Sequence, residues 1–325
     1  MPSRADAGAS VTVKETDTTR CVHSAETDLV RRMSNASEAI AGDPACPLCG
    51  STAELIFRRN HRGKDWFLAR CKCGLHFTHP LPTPDEITEF YTGDYHEELI
   101  GATIDDQPMM PKFRHYIDRI KPHFPSGRSL DVGCTNGLFP YLMQQNGYQA
   151  EGIELNPKTA KWGAETYGVP IWTGSFDEFD GGGNRYDVIT MTDVVEHTLN
   201  PLQTLKKLNR MLRRSGGAMI TFPDITSAKS QYYRRVAQVT HRDWLWVTCC
   251  IPAHIWEFTQ PVATRCFENA GFAVRSFERT EAREEGLPGK LALISLLARP
   301  FDLPWMAPRF GTQMEFVLEK VREVE

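Results

Sequence analysis

The chain has 325 residues, 41% of them hydrophobic and 24% charged, with a formal net charge of -4. That length buries one large core and leaves room for a small second one. The charge supplies no positive field to draw nucleic acid or an anionic membrane, and no stretch reaches the roughly 18 apolar residues of a spanning helix.

The first residues, "MPSRADAGASVTVKETDTTR", contain no apolar h-region, so no secretory leader is expected. Residues 1–40 are polar and rich in Ser, Thr and Ala, and read as a mobile tail with a short helix near Asp28–Arg32. The nine cysteines are odd in number and unevenly placed. This favours a reducing cytoplasm over a disulfide scaffold.

Residues 41–82 carry two knuckles, "CPLCG" and "CKCG". Thiolates two or three positions apart face one metal, and two such pairs complete a tetrahedron. Cys46, Cys49, Cys71 and Cys73 are therefore the expected ligands of a structural zinc, with a glycine after each pair to make the turn. The second knuckle is one residue shorter than usual, which leaves His76 or His79 as a substitute ligand. The basic run "FRRNHRGKDWFLARCK" opens a second use, nucleic-acid binding, although no base-stacking motif or wider basic surface accompanies it.

Residues 83–125 form a helical connector. Thr83 caps a first helix with Pro84 in its first turn, and "PKFRHYIDRIKPHF" is a second, amphipathic one. From residue 126 to 300 strands and helices alternate. Strands are expected at "SLDVG", "AEGIEL", "PIWTG", "YDVITMTDVV", "AMITFPD", "AVRSFERT" and "KLALISLLARP". Helices are expected between them, including "NPLQTLKKLNRMLRRSGG", which would end on basic residues and a double glycine. Residues 301–325 are left as a C-terminal extension. The alternation predicts an α/β fold with a parallel sheet covered on both faces.

The loop "DVGCTNG" follows the first strand of this region, at the carboxyl edge where open α/β sheets bind ligands. Glu154 ends the next strand, where an acid meets a ribose hydroxyl pair. The loop lacks the Gly-Lys-Ser/Thr of a phosphate loop, and Asp131 would repel a phosphate but attract a cation. A nucleoside carrying an ammonium and a sulfonium suits these demands. Thr135 lies between the two glycines, and a small β-branched residue is tolerable there with φ < 0.

In "DVVEH", Asp193, Glu196 and His197 are spaced i, i+3, i+4 and share a face if a helix starts there. The alternative is a capping box with Asp193 as cap and Glu196 reaching back. His254 in "PAHIWEFT" precedes a helix that Thr259 could cap. An imidazole has the basicity to take a hydroxyl proton at neutral pH. His197 and His254 are the histidines expected at the carboxyl edge, with His241 a weaker third. The insert 226–255 carries Tyr232, Tyr233, Arg234, Arg235, Trp244 and Trp246. It reads as an acceptor lid or as a helical cover on the core.

Through the glycine loop, the acid ending the second strand, "DVVEH" and the final pair of strands, Ser129–Pro300 resembles the class I S-adenosylmethionine-dependent methyltransferases. The resemblance implies a Rossmann-like seven-stranded sheet with an antiparallel last strand, plus the small N-terminal zinc ribbon. It places Asp131, Gly133, Cys134 and Gly137 around the donor, the two glycines admitting its methionine part. Glu154 would accept from the ribose hydroxyls, Leu155 would lie on the adenine face, and Ser175 and Phe176 would border its edge. Thr192 or Asp193 would meet the methionyl end.

The acid-x-x-Glu-His pattern is similar to that of the quinone-biosynthesis O-methyltransferases, where it can hold a divalent metal; Asp193, Glu196 and His197 would be its ligands here. The cysteine run resembles the zinc-ribbon leader of a bacterial group that methylates sugars, surface polysaccharides and secondary metabolites. The expected protein is a cytoplasmic enzyme methylating a hydroxyl of such a small molecule. His254 or His197 would serve as base, with Glu196 beside them, and no nucleic-acid or membrane partner is expected. Alternatives are C- or N-methylation, RNA methylation through the ribbon, and a donor-binding adaptor that transfers nothing.

Overall fold

A computed structural model describes residues 43–61, 63–92, 107, 109–183, 185–240, 253–280 and 311–324. Those from Pro44 onward fall in one compact unit.

The cysteine segment forms an antiparallel hairpin, β1 (Ala53–His61) and β2 (Lys64–Cys71), followed by β3 (His76–His79). Helix α1 (Pro84–Thr92) starts on the expected cap: Glu86 N–H donates to Thr83 Oγ1 at 3.2 Å and Thr83 N–H to Glu86 Oε2 at 2.8 Å. Helix α2 (Met110–Ile120) follows and buries Tyr116, Ile117 and Ile120.

The alternating region gives β4 (Gly127–Val132), α3 (Leu138–Gln145), β5 (Tyr148–Glu154), α4 (Pro157–Tyr167), β6 (Ile171–Thr173), β7 (Tyr186–Thr192), α5 (Pro201–Met211) and β8 (Leu212–Pro223). Asparagine caps start two of the helices: Asn156 accepts from the amides of Lys158 and Thr159, and Asn200 from that of Gln203. After β8 come α6 (Ala228–Thr240), β9 (Trp256–Glu257), α7 (Gln260–Asn269), β10 (Phe272–Thr280) and β11 (Gln313–Lys320).

Seven strands form one sheet in the order β10-β11-β8-β7-β4-β5-β6. The β4, β5, β6, β7 and β8 pairings are parallel, and β11 runs antiparallel to both β8 and β10. This is the expected Rossmann-like sheet with a reversed last strand.

Two expectations need correction. The strand that closes the sheet is Gln313–Lys320, inside the segment set aside as a C-terminal extension, while residues 290–300 lie outside the described residues. The helix expected to run to the double glycine stops at Met211, and "LRRSGG" already belongs to β8. Gly217 is a close-approach position rather than a helix end: a Cβ there would collide with the Leu318 carbonyl and the Phe124 ring.

The cysteine hairpin is not a detached leader. The smaller sheet runs β1-β2-β3-β9, so its last strand comes from the segment just ahead of α7. Cys46, Cys71 and Phe77 share one buried cluster with Ile255, Trp256, Phe258, Val262 and the sheet residues Val132 and Met191. Each large apolar side chain buried there stabilises the joint by about 1.5–3 kcal/mol. A second cluster on the other face of the large sheet packs Tyr116 and Ile120 of α2 against Phe139, Met143, Val188 and Val317.

Candidate donor and acceptor site

The carboxyl ends of β4, β5 and β7 converge on one edge. Gly133 and Gly137 have φ of +74° and +77°, which an L side chain rarely adopts, and a Cβ would lie 2.6 Å from Val194 and 2.7 Å from Ile171 respectively. Thr135 contradicts its expectation. Its φ is +51°, in the left-handed region that is an outlier for a β-branched residue. The loop is held in that shape by Glu154, whose Oε2 accepts from Thr135 N–H at 2.8 Å and whose Oε1 accepts from Asn156 N–H at 2.7 Å.

Glu154 is half-buried, and burial raises its carboxyl above the usual range against the pull of those amides. Asp131 lies beneath the loop, 4% exposed, accepting from Thr190 Oγ1 at 2.6 Å. Burial pushes its carboxyl up to about 7, Thr190 opposes the rise, and the Glu154 charge adds to it. Neither carboxylate is bonded to a cation among the described residues. Cys134 turns away: its thiol is buried, and it packs where a Cβ on Gly152 would stand 2.5 Å off.

Beyond β5, Leu155 is half-exposed. Gly174 N–H bonds the Glu154 carbonyl at 2.9 Å, which brings the Ser175–Phe176 turn beside the end of β5. Ser175 Oγ accepts from Asp177 N–H at 3.2 Å. Phe176 is 8% exposed and belongs to the core cluster, with the Lys207 ammonium 5.0 Å from its ring centre.

At the end of β7, Thr192 is half-buried and Asp193 has φ +58°. The Asp193 side chain accepts from Lys112 Nζ at 2.9 Å, from Thr221 Oγ1 at 3.2 Å and from Gln313 Nε2. Burial alone would raise this carboxyl, but the Lys112 ammonium and the two neutral donors hold it below the usual range. Its side chain still keeps 36% of its surface open. Lys112 and Gln313 escaped the sequence reading because they reach Asp193 from α2 and β11, 81 and 120 positions away.

The shared face expected for Asp193, Glu196 and His197 does not form. Val195–His197 is a 3-10 turn with no capping side chain, so the capping box is absent as well. His254 takes the third place instead. Ligand atoms of Glu196, His197 and His254 all lie within 4.8 Å of one another. The two imidazoles meet edge to face at 4.7 Å, and Tyr91 lies edge-on to His197 at 5.7 Å. His197 Nδ1 sits 2.7 Å from the Ala253 carbonyl. A carbonyl only accepts, so Nδ1 carries a proton, and in the neutral ring Nε2 is then the basic atom. Nε2 lies 3.9 Å from Glu196 Oε1, and His254 Nδ1 lies 3.4 Å from Glu257 Oε1.

Glu196 is 1% exposed, and neither carboxylate oxygen has a hydrogen-bond partner among the described residues. Burial, then the charges of Asp193 and Glu257, push its carboxyl well up. Of the insert, α6 is a helix with Tyr233 3% exposed, which makes it a cover at that position; His241, Trp244 and Trp246 lie outside the described residues.

In the small sheet, the sulfurs of Cys46 and Cys73 are 3.8 Å apart and those of Cys49 and Cys71 are 3.5 Å apart. A tetrahedral ion with metal–sulfur bonds of about 2.3 Å separates its sulfurs by about 3.8 Å, so the four thiols fit one zinc. The amide and hydroxyl of Ser51 bring Cys49 down to about 6, towards the thiolate a metal needs, while burial pushes Cys73 up to about 12. His76 stands apart in β3, opposite Glu257, and burial lowers it to about 4. Three basic residues of the hairpin are paired: Arg58 with Asp65, Arg70 with Glu54 and Lys64 with Glu86.

A seven-stranded sheet with a reversed last strand, a glycine cradle at its carboxyl edge and an acid at the second strand end define the donor-binding domain of a class I methyltransferase. The family model of the methyltransferase domain matches residues 107–276, more than half the chain, and the chain belongs to that family. Its fold is that of the S-adenosylmethionine-dependent enzymes. A ubiquinone biosynthesis O-methyltransferase of Cereibacter sphaeroides is 33% identical over 102 residues, 30% of this chain and 41% of that one. Another protein of that name, from Shewanella halifaxensis, is 28% identical over 156 residues, 43% and 62% of the two chains. The match thus spans about half the length of these relatives. Among solved structures, magnesium protoporphyrin IX methyltransferase of Synechocystis PCC 6803, with bound S-adenosylhomocysteine, shares the fold at TM-score 0.50 and 10% identity, over 73% of this chain and 100% of that one.

Proposed function

We propose that the protein transfers a methyl group from S-adenosylmethionine to a hydroxyl of a small molecule, a sugar or secondary metabolite, with the His197–His254 pair removing the proton. The observation that carries this is the pair of imidazoles at the carboxyl edge, 4.7 Å apart and edge to face, with the His197 ring oriented by its Nδ1 bond to the Ala253 carbonyl. The relatives named as O-methyltransferases favour oxygen as the acceptor atom.

The donor supplies a methyl group on a sulfonium. Glu154 accepts from its ribose hydroxyls, and the backbone at Gly133 and Gly137 lets its methionine part approach. Glu154 gives the cradle its acidic side, and the domain aligns donor and acceptor, worth up to about 7–11 kcal/mol of barrier. The hydroxyl proton goes to an imidazole as the O–CH₃ bond forms and the S–CH₃ bond breaks, so a cation is discharged at sulfur and an imidazolium appears. We favour His254 for the proton, because its segment follows the insert expected to cover the acceptor, whereas His197 Nε2 lies 3.9 Å from Glu196 Oε1 and has a rival duty there.

A second reading rests on Glu196. A buried carboxylate with both oxygens unpartnered, beside two imidazoles, fits a divalent cation held by Glu196, His197 and His254, in place of the expected Asp193 set. There a cation would lower the acceptor hydroxyl's pKa. We also propose that Cys46, Cys49, Cys71 and Cys73 hold a structural zinc, in keeping with a reducing, cytoplasmic location.

The test is transfer of labelled methyl from S-adenosylmethionine into a panel of hydroxylated sugars and phenols, read by mass spectrometry. His254→Ala should lower turnover about 10²–10⁴-fold with donor affinity unchanged. Full turnover in both His254→Ala and His197→Ala would remove the base and point to an acceptor that needs none. Loss of activity with a chelator that leaves the cysteine-bound zinc in place would favour the cation.

A further inference from the structure

We propose that Thr78, in the cysteine-bearing sheet, is a positioning residue for the His197–His254 pair, so that this sheet is a working part of the acceptor side of the site. Thr78 is 1% exposed and makes two bonds to consecutive carbonyls of one short segment. Its N–H donates to the Ile255 carbonyl at 2.8 Å, and its Oγ1 donates to the His254 carbonyl at 2.7 Å. On the opposite side the same short segment is sewn to the 3-10 turn. Ile255 N–H donates to the Glu196 carbonyl at 2.9 Å, the Ala253 carbonyl accepts from His197, and Trp256 Nε1 donates to the Thr198 carbonyl at 2.6 Å.

Residues 253–257 are therefore a bridge with one bank on β3 and the other on the turn that carries Glu196 and His197. The carbonyl that Thr78 Oγ1 holds is that of His254 itself, whose ring meets His197 at 4.7 Å. A threonine in a strand has few χ1 choices, and its backbone N–H is already committed to Ile255, so the hydroxyl has one place to point. Without it the His254 carbonyl loses this donor and the peptide is no longer held at that angle. The His254 Cβ turns with it, and the edge-to-face contact with His197 changes.

The inference rests on the proposed role of the histidine pair. Its test reads geometry alone, so the two can fail separately. Full-length protein labelled with ¹³C and ¹⁵N at histidine gives ring peaks that His197→Gln and His254→Gln assign by deletion. Thr78→Val keeps the shape and the backbone bond and loses the hydroxyl. It should displace the His254 and His197 peaks, leave those of His115 and His123 on and after α2 in place, and leave the calorimetric affinity for S-adenosylhomocysteine unchanged. Thr78→Ser restores the hydroxyl and should return both peaks to their original positions. Should Thr78→Val fold poorly, Thr78→Ala removes the same hydroxyl and must displace the same peaks. Unmoved His254 and His197 peaks in the hydroxyl-free variant, or equal displacement by Thr78→Ser, would overturn the proposal.

Discussion

Thr135 is the residue at which the donor loop works against its own side chain. Held at φ +51° by the bond from its amide to Glu154, it carries the left-handed penalty of roughly 1–2 kcal/mol. Thr135→Gly removes that penalty and gives back part of it in chain entropy, so a net gain of up to about 1 kcal/mol is expected from urea unfolding. A less stable variant would mean the threonine packs better than its backbone suggests. Asp131 gives a pH prediction. Its folded-state carboxyl is raised to about 7 by burial, so the folded protein binds the proton more tightly than the unfolded chain does. The stabilising effect of the protonated form is complete below the unfolded value near 4 and is lost as pH rises to about 7, an effect of about 4 kcal/mol at most. Asp131→Asn cannot ionise. Its stability relative to the parent should therefore climb between pH 4 and pH 7, and a flat difference would show that Asp131 stays charged in the fold.

At the scale of elements, the joint between the small sheet and the large one matters most. Cys71 lies in the same buried cluster as Phe77 and Trp256, and β3 pairs with β9. Cys71→Ser should thus lose the proposed zinc, by elemental analysis, and shift one cooperative melting transition. A separate early transition, with the rest melting as before, would describe a detachable ribbon instead. Local signals in the sequence found the knuckles, the Thr83 cap and the glycine loop, because each is written in neighbouring residues. The same signals misjudged "LRRSGG": a double glycine after a basic run looks like a helix end, yet Gly217 is small because Leu318 and Phe124 approach it from β11 and the α2–β4 connection.

Over the whole molecule, strand and helix alternation made the sheet legible, and its carboxyl edge told where to look for a site. The partners that complete that site were not legible. Lys112 and Gln313 reach Asp193, and Thr78 reaches His254 across 176 positions, with no periodicity to announce them. The left-handed turn at Asp193 then breaks the spacing rule that would have joined it to Glu196 and His197. The proposed donor site is built on Glu154 and is separable from the histidines. Calorimetric titration with S-adenosylhomocysteine tests it most directly, on the parent protein, Glu154→Gln and His254→Ala. One site per chain is predicted for the parent, unchanged affinity for His254→Ala, and a loss of at least about tenfold for Glu154→Gln, since one charge-assisted bond of about 1.5–3 kcal/mol goes with the carboxylate. Equal affinity in the Glu154 variant, or no binding by the parent, would contradict the account.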